Sequence, residues 1–163
     1  MRTSLPTIDS FDRKILEIVQ ESNRATSDQI AEQIGLSPAA IQRRLKRLRK
    51  EQVIVDDISV INPKVLGRNM TFIVQVSLER ERADLIHSFK KQMQNSKHVQ
   101  QCYYVTGSPD FILIVTAFSM EDYDKFTQET FFFDDSNVRN FQTNVVMDSV
   151  KVSLQLPVDE DAD

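Results

Sequence analysis

Six of the eight residues from 43 to 50 are basic: Arg43, Arg44, Lys46, Arg47, Arg49 and Lys50. A run of one charge sign on so short a stretch suits a polyanion, because each cation can displace a condensed counterion from a phosphate. Ser37-Pro38 precedes it, a hydroxyl cap followed by a proline at the first helical position. That arrangement leaves backbone N–H groups at the helix start to face a phosphate. Gln42 and Arg43 follow about one turn later, and their side chains can pair with the edges of adenine and guanine. Ser37, Pro38, Ala39, Gln42 and Arg43 are therefore expected to face bases. Arg44, Lys46, Arg47, Arg49 and Lys50 are expected to hold phosphates. The competing reading is a solvated helix face in a small bundle, but such faces usually mix their charges and this one does not.

A helix can enter a groove only if others hold it, and the preceding residues supply them. Ile8 to Glu21 has Phe11, Ile15, Ile18 and Val19 at helical spacing, with Asp9 or Ser10 as cap. Thr26 and Gln29 form a capping box for a short second helix with the apolar stripe Ile30, Ala31 and Ile34. Gly35 ends it. Ile41, Leu45 and Leu48 give the third helix its inward face. Ala31, Gly35 and Ile41 meet the needs of two helices crossing steeply through a short turn: a small contact residue, a glycine and a branched partner. Residues 53–61, VIVDDISVI, read as two short strands joined at Asp56-Asp57, the wing of a winged helix-turn-helix. Residues 1–61 are thus expected to form a unit that binds double-stranded DNA, with residues 62–69 as a linker.

From Met70 the periodicity changes. Residues 70–78 alternate as a strand, 83–93 carry Ile86, Phe89 and Met93 on one helical face, and 99–105 and 111–118 are strands around the turn Thr106-Gly107-Ser108-Pro109-Asp110. Ser119 caps a helix to about Phe132, with Tyr123, Phe126 and Thr127 inward, and residues 140–154 read as the last strand. The order βαββαβ is the split βαβ plan of ferredoxin-like folds. The whole is an α+β chain, with a second domain at 70–156 and a disordered acidic tail at 157–163. The alternating strands are expected to have exposed faces with apolar residues such as Phe72, Val74 and Val76, and a sheet-to-sheet dimer would bury whichever face the helices leave open.

The net charge of −4 at first argues against a polyanion, but it is unevenly spread. Residues 1–61 hold ten Lys/Arg and nine Asp/Glu, a net +1, while residues 62–163 hold ten and fifteen, a net −5. Local field governs what the basic helix meets. No apolar run approaches the roughly 20 residues of a membrane span, and no signal peptide opens the chain, so a cytoplasmic protein is expected. Cys102 is alone and reads as a small packing residue. His87 and His98 lack ligand spacing, so no metal or cofactor site is expected. An enzyme would need a nucleophile–base pair or a phosphate loop, and neither pattern occurs, so no catalytic residues are assigned. An architectural, nucleoid-type DNA binder that senses nothing is the alternative function.

Read together, these features resemble the Lrp/AsnC (feast/famine) family of transcriptional regulators. The resemblance rests on Ile8-Asp9, Asp12, Ile15-Leu16, the stretch IAEQIGLSPAAIQRRLKRL (30–48), and Asn62-Pro63 with Leu66-Gly67. It continues through YVTGSPDFILIV (104–115), Tyr123, Phe126 and VVMDSVK (145–151). It implies a winged helix-turn-helix joined to an effector-sensing domain, sheet-paired homodimers that assemble further, often into octamers, and an amino acid or related small metabolite as effector. By position it implies an effector site at Thr106, Gly107, Ser108 and Asp110, joined by Gln142, Thr143 and Asn144 of the last strand. Pro109 and Phe141 depart from the family pattern. Pro109 gives the turn no N–H donor and stiffens it.

Overall fold

A computed structural model describes residues 5–133 and 136–158. The described residues divide into two compact units: residues 5–60 together with 151–158, and the described residues of 61–150.

The first unit contains α1 (Ser10–Glu21), α2 (Ser27–Ile34) and α3 (Pro38–Lys50). Each start was legible from its cap. Asp9 caps α1, Thr26 and Gln29 form a reciprocal capping box on α2, and Ser37 Oγ accepts from the Ala40 N–H at 3.3 Å. Ile15, Ile30, Ala31, Ile41, Leu45 and Leu48 make the core of this unit. Gly35 ends α2 at φ +74°, the left-handed conformation that lets α3 restart three residues later. Nothing lies within 4 Å of where its Cβ would be, so a side chain there would meet backbone strain alone.

The hairpin expected at 53–61 is not formed. Residues 53–61 form no strand ladder: Val53 and Ile54 lie in a bend and no regular element follows. A two-residue hairpin turn needs positive φ at its centre, and Asp56-Asp57 offers no glycine for it. The segment is held by other means. The N–H groups of Val53 and Ile54 donate to the Leu48 carbonyl, Asn23 Nδ2 donates to the Ile58 carbonyl at 2.9 Å, and Arg49 pairs with Asp57 at 2.8 Å. The Arg49 hydrogen bonds outweigh partial burial and hold the Asp57 carboxyl below the ordinary carboxylate range.

The second unit is a four-stranded antiparallel sheet in the order β2-β3-β1-β4, from β1 (Met70–Leu78), β2 (Val99–Tyr104), β3 (Phe111–Ala117) and β4 (Val138–Val145). Helices α4 (Ala83–Asn95) and α5 (Met120–Phe131) pack on it. This is the expected βαββαβ plan, with two corrections. The apolar side chains Phe72, Val74 and Val76 lie in the helix-covered core with Phe111, Leu113 and Val115, because their register puts them under Phe89, Tyr123 and Phe126. The opposite face carries Ile73, Ile112, Ile114 and Tyr103, in cross-strand rows with Gln75, Gln142 and Asn144. The last strand also stops at Val145, not 154. A final bond from Val146 N–H to the Thr71 carbonyl ends the ladder where β1 itself begins.

Residues 62–68 form a hydrogen-bonded turn tied to β3, with Arg68 donating to the Thr116 carbonyl at 2.7 Å and lying over the Phe118 ring. Beyond the sheet, residues 151–158 belong to the unit of α1–α3. Gln20 clasps Leu156 there: its Oε1 accepts the Leu156 N–H at 2.8 Å and its Nε2 donates to the Leu156 carbonyl at 3.1 Å. The acidic tail expected at 157–163 falls outside the described residues from 159 onward.

Substituting Gly35 by Ala should cost about 1–2 kcal/mol through left-handed strain alone. Gly35→Asn should cost less, since Asn visits that region more readily. Urea unfolding of the full chain monitored on the helical unit would show both. Equal losses would point to a packing cause instead.

Candidate nucleic-acid interface and effector cleft

Helix α3 presents two distinct sets of cations. Ile41, Leu45 and Leu48 are buried and fix its rotation. Ser37, Pro38, Ala39, Gln42, Arg43, Lys46, Arg49 and Lys50 are exposed, as the helical period requires of positions away from that stripe. Arg43, Lys46 and Lys50 form no ion pair with an acid among the described residues. The Ser37 hydroxyl is committed to capping, so its contribution to a ligand would come through the helix start it builds.

Arg44 and Arg47, expected on phosphates, are paired with acids within the unit. Arg44 Nη1 donates to both carboxylate oxygens of Asp9, at 2.9 and 2.7 Å, and to Asp12 Oδ1 at 2.8 Å. Arg47 Nη2 donates to Asp12 Oδ2, and its Nε lies 3.9 Å from Glu51. Asp12 has no exposed surface. Hydrogen bonds from Asp12 and Asp9 outweigh burial and keep the Arg44 guanidinium more firmly protonated than usual. Partial burial raises the Asp9 carboxyl, but the Asp12 N–H and Arg44 outweigh it and hold it below the ordinary range. Arg49 is also engaged, with Asp57, but both side chains of that pair are about two-fifths exposed. Sequence reasoning quoted Asp12 only for the family resemblance and gave it no role. Its signal was the spacing of three from Asp9, which makes a capping box at the start of α1.

In the second unit an open depression lies beside the turn after β2. Gly107, at φ +93°, lies with Ser108, Pro109 and Asp110 opposite Ser77, Leu78, Glu79 and Glu81 of the β1 end and Arg139 of β4, around an open volume of about 330 Å³. Asp110 serves first as a structural residue. Its Oδ2 accepts the Leu78 N–H at 2.7 Å and its own N–H donates to the Val76 carbonyl at 3.0 Å. Next to Glu79 and Glu81, the Asn137 side chain accepts the Arg80 N–H and donates to the Arg80 carbonyl. Thr106 is exposed beside the turn.

The three β4 positions do not gather at this cleft. Gln142 and Asn144 lie on the open sheet face opposite Gln75 and Ile73. Thr143 lies on the helix side, hydrogen-bonded to the Tyr123 hydroxyl. The β4 residue that does line the cleft is Arg139, four positions before Thr143. It was missed because a single exposed Arg at a strand start carries no sequence signal until the register of β1 and β4 is known. Among the described residues, no group of three His, Cys, Asp or Glu could hold a metal, and no helix is long and apolar enough to cross a membrane.

Comparison with known proteins follows the same two-part division. Residues 8–55 match the family model for winged helix-turn-helix DNA-binding domains, and residues 71–156 match that of the Lrp/AsnC ligand binding domain. An HTH-type transcriptional regulator of Sinorhizobium fredii is 50% identical over 93% of this chain and 89% of its own. The leucine-responsive regulatory protein of Haemophilus influenzae is 31% identical over 88% of this chain and 86% of its own. A transcriptional regulator of Neisseria meningitidis, solved as its complex with L-Met, superposes with a TM-score of 0.86 at 26% identity, covering 93% of this chain and 97% of its own.

Arg43→Ala should flatten preference at one base position, a loss of about 1–3 kcal/mol in discrimination. Lys46→Ala should weaken all duplexes alike and leave the preference unchanged. Selection from a random duplex pool followed by affinity measurements distinguishes the two, and identical effects from both variants would contradict the assignment.

Proposed function

This chain belongs to the Lrp/AsnC family of transcriptional regulators, and we propose that it reads an operator with α3 in response to an amino acid held at the Gly107 cleft. Gln42 and Arg43 face base edges. Lys46 and Lys50 hold phosphates, joined by Arg49 when its exposed pair with Asp57 opens. The chain works by binding and assembly, catalyses no reaction of its own, and acts in the cytoplasm.

The observation that carries the effector reading is the charge pattern of the cleft. Arg139 suits a carboxylate, and Glu79 and Glu81 suit an ammonium group within the same small volume. The Gly107 turn leaves backbone groups open beside them. The names of relatives support the same class: one is leucine-responsive, and another was solved with L-Met. Pro109 removes one donor from the turn, so recognition of the zwitterion rests on side-chain charges more than on backbone N–H groups.

The open sheet face supports homodimerisation and further assembly. Ile73 is 37% exposed and Tyr103 51% exposed there, with Ile112 and Ile114 between them. A second copy would cover these rows through a self-complementary contact.

Isothermal titration of the full chain against the twenty amino acids should give heat with at least one, and Arg139→Ala should weaken that binding at least tenfold. No heat with any amino acid would sink the effector reading and favour the architectural alternative. Light scattering alongside should report a species larger than one chain.

A further inference from the structure

Helix α3 carries six cations, yet a buried acid withdraws two of them. Asp12 receives three donors: the Asp9 N–H at 3.1 Å, Arg44 Nη1 at 2.8 Å and Arg47 Nη2. Arg44 is held further by Asp9 and lies 5.6 Å from the centre of the Phe11 ring. A fully buried carboxylate cannot release its counter-charges without itself becoming an unpaired charge in the interior. Arg49 is different, because its partner Asp57 is exposed and can be exchanged for a phosphate in water.

Non-specific affinity for DNA follows the number of cations able to neutralise phosphates, while specific affinity also needs a fixed helix orientation. The Asp12 cluster acts on both. It ties α3 to the start of α1, which sets how Gln42 and Arg43 are presented. It also lowers the count of free cations on α3. We propose that Asp12 is a specificity-determining positioning residue, which raises discrimination between operator and random DNA by keeping Arg44 and Arg47 off the phosphates. This rests on the placement of α3 on DNA.

The test is the salt dependence of binding by the full chain to two fluorescent duplexes, one of random sequence and one recovered by selection from a random pool. Each phosphate-neutralising cation contributes about 0.9 to the slope of log K against log salt on B-DNA. Lys46→Gln should reduce the slope by about 0.9 for every copy bound. Arg44→Gln and Arg47→Gln should leave it unchanged while lowering the melting temperature. Asp12→Asn should steepen it as the two guanidiniums are freed, and should narrow the affinity ratio between the two duplexes. The arginine variants suffice where Asp12→Asn does not fold. A slope reduced by Arg44→Gln or Arg47→Gln as much as by Lys46→Gln overturns the proposal. If Lys46→Gln too leaves the slope unchanged, the placement of α3 on DNA falls first and the role of Asp12 with it.

Discussion

Burying a carboxylate is costly unless charged donors meet it, and the DNA-reading unit is built around one that is met. Asp12 sits in the first turn of α1, where the helix dipole favours an acid and where it completes the reciprocal cap with Asp9. From there it reaches Arg44 and Arg47, more than thirty residues away in sequence. The apolar core of Ile15, Ile30, Ile41 and Leu48 brings α1 and α3 together, but apolar contact is non-directional. The ion cluster adds direction. It reinforces the rotation of α3, set by the buried Ile41, Leu45 and Leu48, at which Gln42, Arg43, Lys46 and Lys50 face outward.

The second unit solves a different problem with the same economy of polar groups. Its helices cover one face of the sheet through aromatic contacts, among them Phe72 against Tyr123 at 3.9 Å and Phe89 against Phe111 at 4.6 Å. That leaves the other face with two isoleucine-containing rows flanked by Gln and Asn. Asp110 then joins the turn after β2 to β1 with one hydrogen bond through its side chain and another through its own N–H. The cleft beside Gly107 exists because the turn is anchored there. A loosely held turn would give Arg139 and Glu79 nothing to face.

The elements were legible because caps and periods are local. Asp9, Thr26 and Ser37 mark three helix starts, and alternation marks β1 and β3. Tertiary pairing was not legible. Six cations in eight residues read alike in sequence, and only the fold separates Arg43 from Arg44, which are adjacent residues on different sides of one helix. Likewise Thr143 and Gln142 face opposite sides of the sheet, so a site on one face meets only one of them. The two strands expected at 53–61 are absent for a local reason: Asp56-Asp57 lacks the positive-φ residue of a tight hairpin, while Arg49 and Asn23 offer the segment other partners. The end of β4 was overextended because residues 150–156 alternate as a strand would, although no neighbouring strand remains for them.

Counting cations also explains why assembly matters to the proposed function. Three cations of α3 hold phosphates in the proposed function, Lys46, Lys50 and Arg49 once its exposed pair with Asp57 opens, so one copy would have a salt slope of about −2.7. Raising salt fourfold would then cost about fortyfold in affinity, from an already weak complex. Two copies bound together double the slope to about −5.4, and the same change in salt costs roughly two-thousandfold. Such a regulator is governed by whether its copies are paired, more than by the strength of any single helix. An effector acting on assembly would therefore need no contact with DNA to control occupancy. The measured slope for the full chain should approach the paired value, and a slope near −2.7 would mean that a single helix binds alone.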